Sequence, residues 1–157
     1  MTPLMDAIFI FSAQYLFVLP PVILGVYFFK RSRAEMKRMA FFAVPSGLLT
    51  YAVGVVASHV YVDPRPFVVG HFTPLIQHVA DNGFPSDHTL LVASLAAVGM
   101  YWNKKLGIAL WAIALAIAAS RVAVGLHHPI DVVASMLIAL AVTAFWHKIS
   151  EKYRPAV

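Results

Sequence analysis

The chain has 157 residues, of which 61% are hydrophobic and only 12% are charged, and it carries a formal net charge of +5. Soluble domains are about half apolar and about a quarter charged. This composition excludes an ordinary soluble domain and indicates a protein that lies in a membrane. The chain has no cysteine, which excludes disulfides and thiolate metal sites. Its length suits one domain over residues 1–157, since no stretch has the composition of a linker.

Five apolar stretches are candidates to cross a bilayer, which takes about 20 residues per helix. They occupy residues 7–29, 39–60, 87–102, 106–125 and 130–147. No basic segment precedes the first stretch, so it is not typical of a signal peptide, and Pro20-Pro21 predicts a kink or break within it. The third stretch is the shortest. The sequence thus predicts an all-α, polytopic membrane helix bundle with about five transmembrane helices.

The basic residues favour one orientation of this bundle. Ten of the twelve Lys and Arg residues lie in segments that share one side of the membrane if five helices alternate. They are Lys30, Arg31, Arg33, Lys37, Arg38, Lys104, Lys105, Lys148, Lys152 and Arg154. The positive-inside rule assigns this side to the cytoplasm, which leaves the N-terminus outside and the C-terminus inside. Because topology explains the positive charge, we expect no nucleic-acid partner.

Polar chemistry collects on the opposite, outer side. Arg65 and Arg121 lie there, against the positive-inside bias. Most of the acids and histidines accompany them: Asp6, Asp63, Asp81, Asp87, Asp131, His59, His71, His78, His88, His127 and His128. Polar loops alone would explain the acids, but arginines on this side need a local partner. We therefore expect a functional site at the outer membrane surface.

The segment VYVDPRPF, residues 60–67, holds an arginine on a stiff loop. Pro64 and Pro66 fix their own backbone angles and bias the residues before them, Asp63 and Arg65, toward extended geometry. A guanidinium held in this way suits fork-like binding of a phosphate or carboxylate. The alternative is an ordinary surface pair between Arg65 and Asp63.

The segment NGFPSDHTLL, residues 82–91, places polar residues at the start of the third apolar stretch. Ser86 is a good N-cap, which leaves Asp87 and His88 in the first helical turn. Free N–H groups at a helix N-terminus can bind an anion, and His88 could there donate a proton to a departing oxygen. The charge of Asp87 opposes an anion, so we expect it to hold a neighbouring His or Arg. The alternative is a plain Ser cap with an acid that the helix dipole favours.

The segment SRVAVGLHHPIDV adds an arginine and a histidine–aspartate pair. Arg121 lies near the outer end of the fourth stretch, where a charge is costly unless it is paired or reaches the interface. Pro129 suits the first turn of the next helix, and Asp131 can turn back toward His127. A carboxylate on one imidazole nitrogen fixes the tautomer and leaves the other nitrogen free to attack. On local grounds His128 serves as well as His127, and a capped helix with a spare histidine is the alternative.

Together these motifs supply the parts of a phosphoryl-transfer site. Arginines neutralise charge, one histidine is a nucleophile and another is an acid for the leaving group, in a reaction that depends mainly on positioning and electrostatics. No further cluster of acids suggests a magnesium cage. Covalent histidine catalysis without a metal or cofactor therefore fits the residues better.

The order R-P, then P-S-x-H, then S-R-x-x-x-x-x-H-x-x-x-D resembles the type 2 phosphatidic acid phosphatase family over residues 65–131. Within that family, the loops DPRPFVVGHF and HVADNGFPSDHT are similar to the bacitracin-resistance type of undecaprenyl-diphosphate phosphatase. The resemblance implies that His127 becomes phosphohistidine, and it selects His127 over His128. It also implies that Asp131 orients His127 and that His88 is the general acid. The residues that it implies for phosphate binding are Arg65, Arg121 and Ser86.

The resemblance further implies a function and a location. Undecaprenyl diphosphate would be hydrolysed to undecaprenyl phosphate and phosphate, which recycles the carrier lipid of peptidoglycan synthesis and confers bacitracin resistance. The protein would lie in the bacterial cytoplasmic (inner) membrane, with its active site facing the periplasm or the cell exterior. Its partners would be this polyprenyl diphosphate lipid and the surrounding membrane lipids. No feature of the sequence indicates an oligomeric state.

Two positions depart from the family's pattern. Ser58 stands where the first motif usually has a lysine, and Asp87 stands where the second motif usually has a glycine. The missing lysine removes one charge partner of the phosphate. His59 and His78 are the candidates to replace it, unless the arginines suffice alone.

Two alternative functions remain open on the sequence. One is hydrolysis of another lipid phosphate, such as phosphatidylglycerophosphate, phosphatidate or lipid A. The other is a small proton-coupled transporter, which would use ionisable residues within the membrane. Against a transporter, the motif residues lie near one membrane surface, whereas transporter sites lie near the midplane.

Overall fold

The computed structural model describes residues 2–153 as helices joined by loops, with no β-strand in that range. Seven α-helices follow one another in these residues: α1 Pro3–Gln14, α2 Leu19–Phe29, α3 Arg33–Val60, α4 Pro66–Val69, α5 Asp87–Trp102, α6 Lys104–Ala123 and α7 Pro129–Lys152. A 3₁₀ turn at Leu16–Val18 joins α1 to α2. The longest connection, residues 61–86, contains only the short α4.

The predicted membrane bundle is confirmed, with one helix shorter than a full span. Four helical segments of the described chain are long and apolar enough to cross a membrane: Pro3–Phe29, Arg33–Val60, Lys104–Ala123 and Pro129–Lys152. The predicted stretch at 87–102 also forms a helix, but the 16 residues of α5 reach only about 24 Å. A hydrocarbon core is about 30 Å thick. The protein is therefore a multi-pass membrane protein with four long spans and one shorter helix.

The predicted break in the first stretch is also confirmed. α1 ends at Gln14, the 3₁₀ turn follows, and α2 begins at Leu19. Pro20 and Pro21 lie in the first turn of α2, where their missing N–H groups cost no intrahelical hydrogen bond. The chain therefore crosses in two helical pieces.

α5 is the central helix and packs against α2, α3, α6 and α7. Its buried residues are mostly small: Thr89, Leu90, Val92, Ala93, Ser94, Ala96, Ala97, Val98 and Gly99. Small residues let helix backbones approach closely in a membrane, where lipid removes the hydrophobic force between helices. The contact with α6 shows this closeness, because a Cβ added to Gly107 would lie 2.6 Å from the Cα of Met100.

A buried hydrogen bond joins the two longest helices. Ser46 Oγ on α3 donates to Thr143 Oγ1 on α7 over 3.1 Å, and both residues are fully buried. An unpaired hydroxyl would be costly in hydrocarbon, so this bond favours one alignment of α3 against α7.

The helix directions place all three sequence motifs at one end of the bundle. α3 and α6 run toward this end, while α5 and α7 start from it, and hydrogen bonds join the four termini with residues 61–86. The basic segments at 30–38 and 103–105 lie at the opposite end, as the alternation of helices predicts. Arg154, which was predicted on that basic side, lies outside the described residues.

Candidate active site

Arg65 lies in the loop before α4 with only 6% of its surface exposed. Its Nε donates to Asp81 Oδ1 over 2.6 Å, and its Nη1 donates to the carbonyl oxygen of Leu126 over 3.0 Å. Asp81 is therefore the carboxylate that holds Arg65, and the alternative of a simple Arg65–Asp63 pair is wrong. The contact with Leu126 ties the arginine loop to the segment that leads into α7.

Asp81 lies half-exposed at the rim of this end of the bundle. Burial disfavours its carboxylate, but the hydrogen bond and the charge of Arg65 outweigh this effect and hold the pKa of Asp81 below its usual value. His78 Nδ1 lies 3.9 Å from the same Asp81 oxygen, so one predicted replacement for the missing lysine lies beside the Arg65–Asp81 ion pair. The other, His59, does not, because its Nδ1 contacts the carbonyl oxygen of Val55 on its own helix at 2.7 Å.

The imidazole of His127 is buried and has partners at both nitrogens. Nδ1 lies 2.9 Å from the carbonyl oxygen of Gly83 and 3.3 Å from Asp131 Oδ2. A carbonyl and a carboxylate only accept hydrogen bonds, so in the neutral ring Nδ1 carries the proton and Nε2 carries the lone pair. Nε2 faces Arg65 Nη1 and Arg121 Nη2, each 3.3 Å away. The predicted contact with Asp131 is present, and the Nε2 lone pair points between two guanidinium groups.

The surroundings of His127 favour its neutral form. Burial is the largest effect that holds the pKa of His127 below its usual value, and the charges of Arg121 and Arg65 lower it further. The hydrogen bond and the charge of Asp131 act in the opposite direction without reversing the shift. An unprotonated ring is the form that a histidine nucleophile requires.

Asp131 is fully buried in the first turn of α7, where the helix N-terminus favours a carboxylate. Its Oδ2 accepts a second hydrogen bond from the backbone N–H of His128 over 2.8 Å. Its Oδ1 has no hydrogen-bond partner among the residues that the structure describes. The carboxylate is thus held by backbone at the same oxygen that faces His127.

Arg121 lies at the end of α6, buried like Arg65. Its Nη1 lies 3.5 Å from the carbonyl oxygen of Ala13 on α1, while its Nε has no partner within the described chain. A charge this deep was predicted to need a local partner, and the contact at Nη2 is His127. The guanidinium therefore keeps hydrogen-bonding capacity for an anion at this place.

Ser86 and His88 lie at the start of α5, as predicted, but Ser86 does not cap the helix with its side chain. Ser86 is at the N-cap position and is fully buried, and its Oγ instead accepts a hydrogen bond from Thr89 Oγ1 over 3.1 Å. The hydroxyl hydrogen of Ser86 is then left to donate elsewhere. The His88 ring packs edge-on against Phe17 with ring centres 4.8 Å apart, and the positive charge of Arg121 acts on it.

Residues 22–155, most of the chain, match the PAP2 superfamily. The chain belongs to the PAP2 superfamily. It is 30% identical over 154 residues to undecaprenyl-diphosphatase BcrC of Bacillus subtilis strain 168, which covers 98% of this chain and 79% of that protein. It is also 30% identical over 146 residues to the bacitracin transport permease protein BcrC of Bacillus licheniformis, which covers 91% of this chain and 71% of that protein.

Two solved structures share the fold of this PAP2 protein. LpxE of Aquifex aeolicus has a TM-score of 0.74 at 22% identity and covers 94% of this chain and 88% of its own. The first transmembrane PAP2-type phosphatidylglycerolphosphate phosphatase from Bacillus subtilis has a TM-score of 0.66 at 22% identity and covers 100% and 82%. The family match and the relatives confirm the resemblance seen in the three sequence motifs, and the chain is a membrane phosphatase of the PAP2 superfamily.

The contacts of the PAP2 site depend on three neighbouring residues that the sequence did not single out as site residues. They are Asp81, Asn82 and Gly83. The side chain of Asn82 joins the end of α3 and the residues after it to the segment that leads into α5. Asn82 Oδ1 accepts from the N–H groups of Asp63 and Phe84 over 2.9 and 3.0 Å. Its Nδ2 donates to the carbonyl oxygens of Ser58 and Tyr61 over 2.9 and 3.1 Å. The Asn-Gly pair, a strong turn signal, was the available clue.

Asp87 does not hold a histidine or arginine as predicted. Its side chain makes no hydrogen bond or ion pair with the described residues, and only its charge reaches Arg121. The physical reason is its position in the first turn of α5, where the carboxylate is exposed and the helix N-terminus stabilises it.

Asp63, His128 and Asp131 are the residues of the PAP2 site that could hold a metal ion, because one ligand atom of each lies within 4.8 Å of the others. Oxygen and imidazole ligands suit several divalent ions. An ion there would compete for Asp131, which already contacts His127 and the His128 N–H. Independence from metal therefore stays a prediction.

Proposed function

We propose that this PAP2 phosphatase hydrolyses undecaprenyl diphosphate to undecaprenyl phosphate and phosphate, with His127 as the nucleophile. The locked imidazole carries the proposal: Gly83 and Asp131 hold Nδ1, while Nε2 lies 3.3 Å from each of two arginines. A phosphoryl group whose oxygens bind these guanidinium groups would present its phosphorus to the lone pair. The choice of substrate is supported by the name of the Bacillus subtilis relative, undecaprenyl-diphosphatase.

In the first half of the reaction, Nε2 of His127 attacks the terminal phosphorus, and the bond from that phosphorus to the bridging oxygen breaks. Arg65 and Arg121 neutralise the charge of the transferred phosphoryl group, and the Ser86 hydroxyl donates to it. Formation of the P–N bond makes the ring positive, and Asp131 stabilises this charge. His88 gives a proton to the bridging oxygen as the lipid monophosphate departs.

In the second half, a water molecule attacks the phosphorus of phosphohistidine while His88 accepts its proton. The P–N bond breaks, inorganic phosphate leaves, and the lone pair returns to Nε2 of His127. The chain's own residues supply the nucleophile, the positive charge and the proton transfer. The cycle therefore needs no metal ion or cofactor.

The site is proposed to face the periplasm or the cell exterior from the bacterial cytoplasmic (inner) membrane. The basic segments at 30–38 and 103–105 lie at the other end of the bundle, which the positive-inside rule assigns to the cytoplasm. In this orientation the phosphatase recycles carrier lipid for peptidoglycan synthesis. The same activity would confer bacitracin resistance, and the name of the Bacillus licheniformis relative, bacitracin transport permease protein BcrC, also refers to bacitracin. A cysteine at position 71 of the cysteine-free chain should react with an impermeant reagent on intact cells, and reaction only after lysis would contradict the orientation.

Release of phosphate from a lipid panel by the purified protein tests the activity and the substrate together. The panel contains undecaprenyl diphosphate, phosphatidylglycerophosphate, phosphatidate and lipid A, and His127→Ala is the inactive control. We expect the highest kcat/KM for undecaprenyl diphosphate. A preference for phosphatidylglycerophosphate would favour the activity named for the second structural neighbour. Absence of phosphate release from undecaprenyl diphosphate, with release from another lipid of the panel, would contradict the proposed substrate.

A further inference from the structure

A second histidine–aspartate pair lies next to the first and takes no part in the proposed chemistry. His128 Nδ1 lies 3.1 Å from Asp63 Oδ2. The side chains are only 33% and 16% exposed, so water screens their contact less than that of a surface ion pair. The sequence left His128 as a spare histidine and Asp63 as a partner for Arg65, and the structure joins these two residues to each other.

Backbone contacts fix both members of this pair. The N–H of Asp63 donates to Asn82 Oδ1 over 2.9 Å, and its carbonyl oxygen accepts from the N–H of Gly83 over 2.8 Å. The N–H of His128 donates to Asp131 Oδ2 over 2.8 Å. Because these hydrogen bonds already order both backbones, the side-chain contact costs less ordering entropy and can transmit position.

The pair bridges the two segments that carry the reacting groups. Asp63 is two residues before Arg65, and His128 directly follows His127. In the structure, Arg65 Nη1 also touches His127 Nε2 at 3.3 Å, but a phosphoryl group bound between them must take over both atoms. The Asp63–His128 contact uses neither of these two atoms, so a phosphoryl group between the arginine and the imidazole does not have to break it.

We propose that Asp63 and His128 are positioning residues that set the distance between the Arg65 loop and His127 during phosphoryl transfer. The inference rests on the proposed function, because it takes His127 as the nucleophile. Neither residue contacts the phosphoryl group, so loss of the pair should lower kcat and leave KM nearly unchanged. A small misplacement of reacting groups weakens transition-state contacts more than binding of the lipid.

The test compares His128→Ala, Asp63→Ala, the double variant and His128→Asn. Each alanine variant should lower kcat about tenfold, because shifts below 1 Å already slow positioned reactions. The double variant should be no slower than either single variant, since both remove one contact. His128→Asn should restore most of the rate, because its amide nitrogen stands where Nδ1 stood. His147→Ala is the matched control: its ring lies 3.9 Å from Glu151 Oε1 at the opposite end of the bundle, and its loss should leave kcat unchanged.

Losses that multiply in the double variant, or His128→Asn no faster than His128→Ala, would overturn the proposal. If the alanine variants do not fold, His128→Gln provides the comparison, because its amide nitrogen reaches the place of Nε2 and misses Asp63. Equal rates for the Asn and Gln variants would then contradict the pair. Trapping of phosphohistidine in the wild-type protein separates the two hypotheses. Its absence would refute the proposed function. Its presence, together with losses that multiply in the double variant, would refute only the positioning role of Asp63 and His128.

Discussion

Replacement of Asp131 by asparagine should slow the phosphatase only moderately. The loss in rate should be far smaller than in an enzyme whose catalytic histidine is oriented by an aspartate alone. Two acceptors hold the Nδ1 proton of His127, and the Gly83 carbonyl at 2.9 Å is the nearer, with Asp131 Oδ2 at 3.3 Å. In a triad where the aspartate is the main acceptor, the amide stabilises the wrong tautomer and costs about 10⁴-fold in kcat. Here Gly83 continues to accept from Nδ1, so Asp131→Asn should retain the reactive tautomer.

The remaining loss comes from the missing negative charge. Two unit charges about 4 Å apart interact by about 4 kcal/mol at an effective dielectric constant of about 20. If about half of the ring's positive charge has developed in the transition state, Asp131 contributes about 2 kcal/mol there, which corresponds to about 30-fold in rate. We therefore expect kcat of Asp131→Asn to fall by about 30-fold.

The pH dependence gives the same variant a second signature. In the proposed mechanism the neutral ring of His127 is the reactive form, so activity should fall as the pH drops through its pKa, which burial holds below the usual histidine value. Asp131 raises the pKa of His127, so its neutralisation should lower that pKa and move the acidic limb to lower pH.

Steady-state rates of phosphate release between acidic and neutral pH, for the wild-type and Asp131→Asn proteins, measure both effects. An aryl phosphate substrate keeps proton donation to the leaving group from limiting the rate. A loss near 10⁴-fold would show that Gly83 does not hold the tautomer. A shift of the acidic limb to higher pH would contradict the electrostatic role of Asp131.

Three further predictions concern the surrounding site. Gly83→Ala should lower kcat at least tenfold, because its Cβ would lie 3.1 Å from the Asp63 carbonyl oxygen and 3.2 Å from Asp131 Oδ2. The control is Gly47→Ala, whose Cβ would meet nothing within 4 Å. Equal rates for the two variants would refute the effect. His88→Ala should lower turnover of phosphatidate by about 10²–10⁴-fold and that of an aryl phosphate much less, and an equal loss on both substrates would contradict its role as acid. Activity should survive EDTA, and complete loss with rescue by a divalent ion would show that metal takes part.

The sequence predicted the fold and the meeting of the three motifs because both follow from hydropathy. Apolar stretches of span length fix the long helices, and their alternation brings the end of α6 and the start of α7 to the same side. Charges placed against the positive-inside bias then identified Arg65 and Arg121 as groups in need of a local partner. Spacing at the start of α7 also predicted the contact of Asp131 with His127, since Asp131 lies in the first turn and can turn back toward His127, which lies just before the helix.

The partners supplied by residues 61–86 could not be predicted, because this segment has no hydrophobic period that sets its path. Asp63 lies nearer to Arg65 in sequence than Asp81 does, yet Asn82 and His128 hold Asp63 away from the guanidinium. The acceptor at 2.9 Å from His127 is a main-chain carbonyl, and a main-chain atom carries no residue signature. The N-cap position of Ser86 was predicted, but its hydrogen-bond partner was not. Thr89 donates to the Ser86 oxygen, and this contact depends on side-chain rotamers that the sequence does not determine.

Trapping of the covalent intermediate tests the role of His127 most directly. Undecaprenyl diphosphate labelled in its terminal phosphate is mixed with the purified protein, and the reaction is stopped in alkali, where phosphohistidine survives. The label should be acid-labile and map to His127, it should be absent from His127→Ala, and it should form in Asp131→Asn. Label on another residue, or label that persists in His127→Ala, would contradict attack by Nε2 of His127.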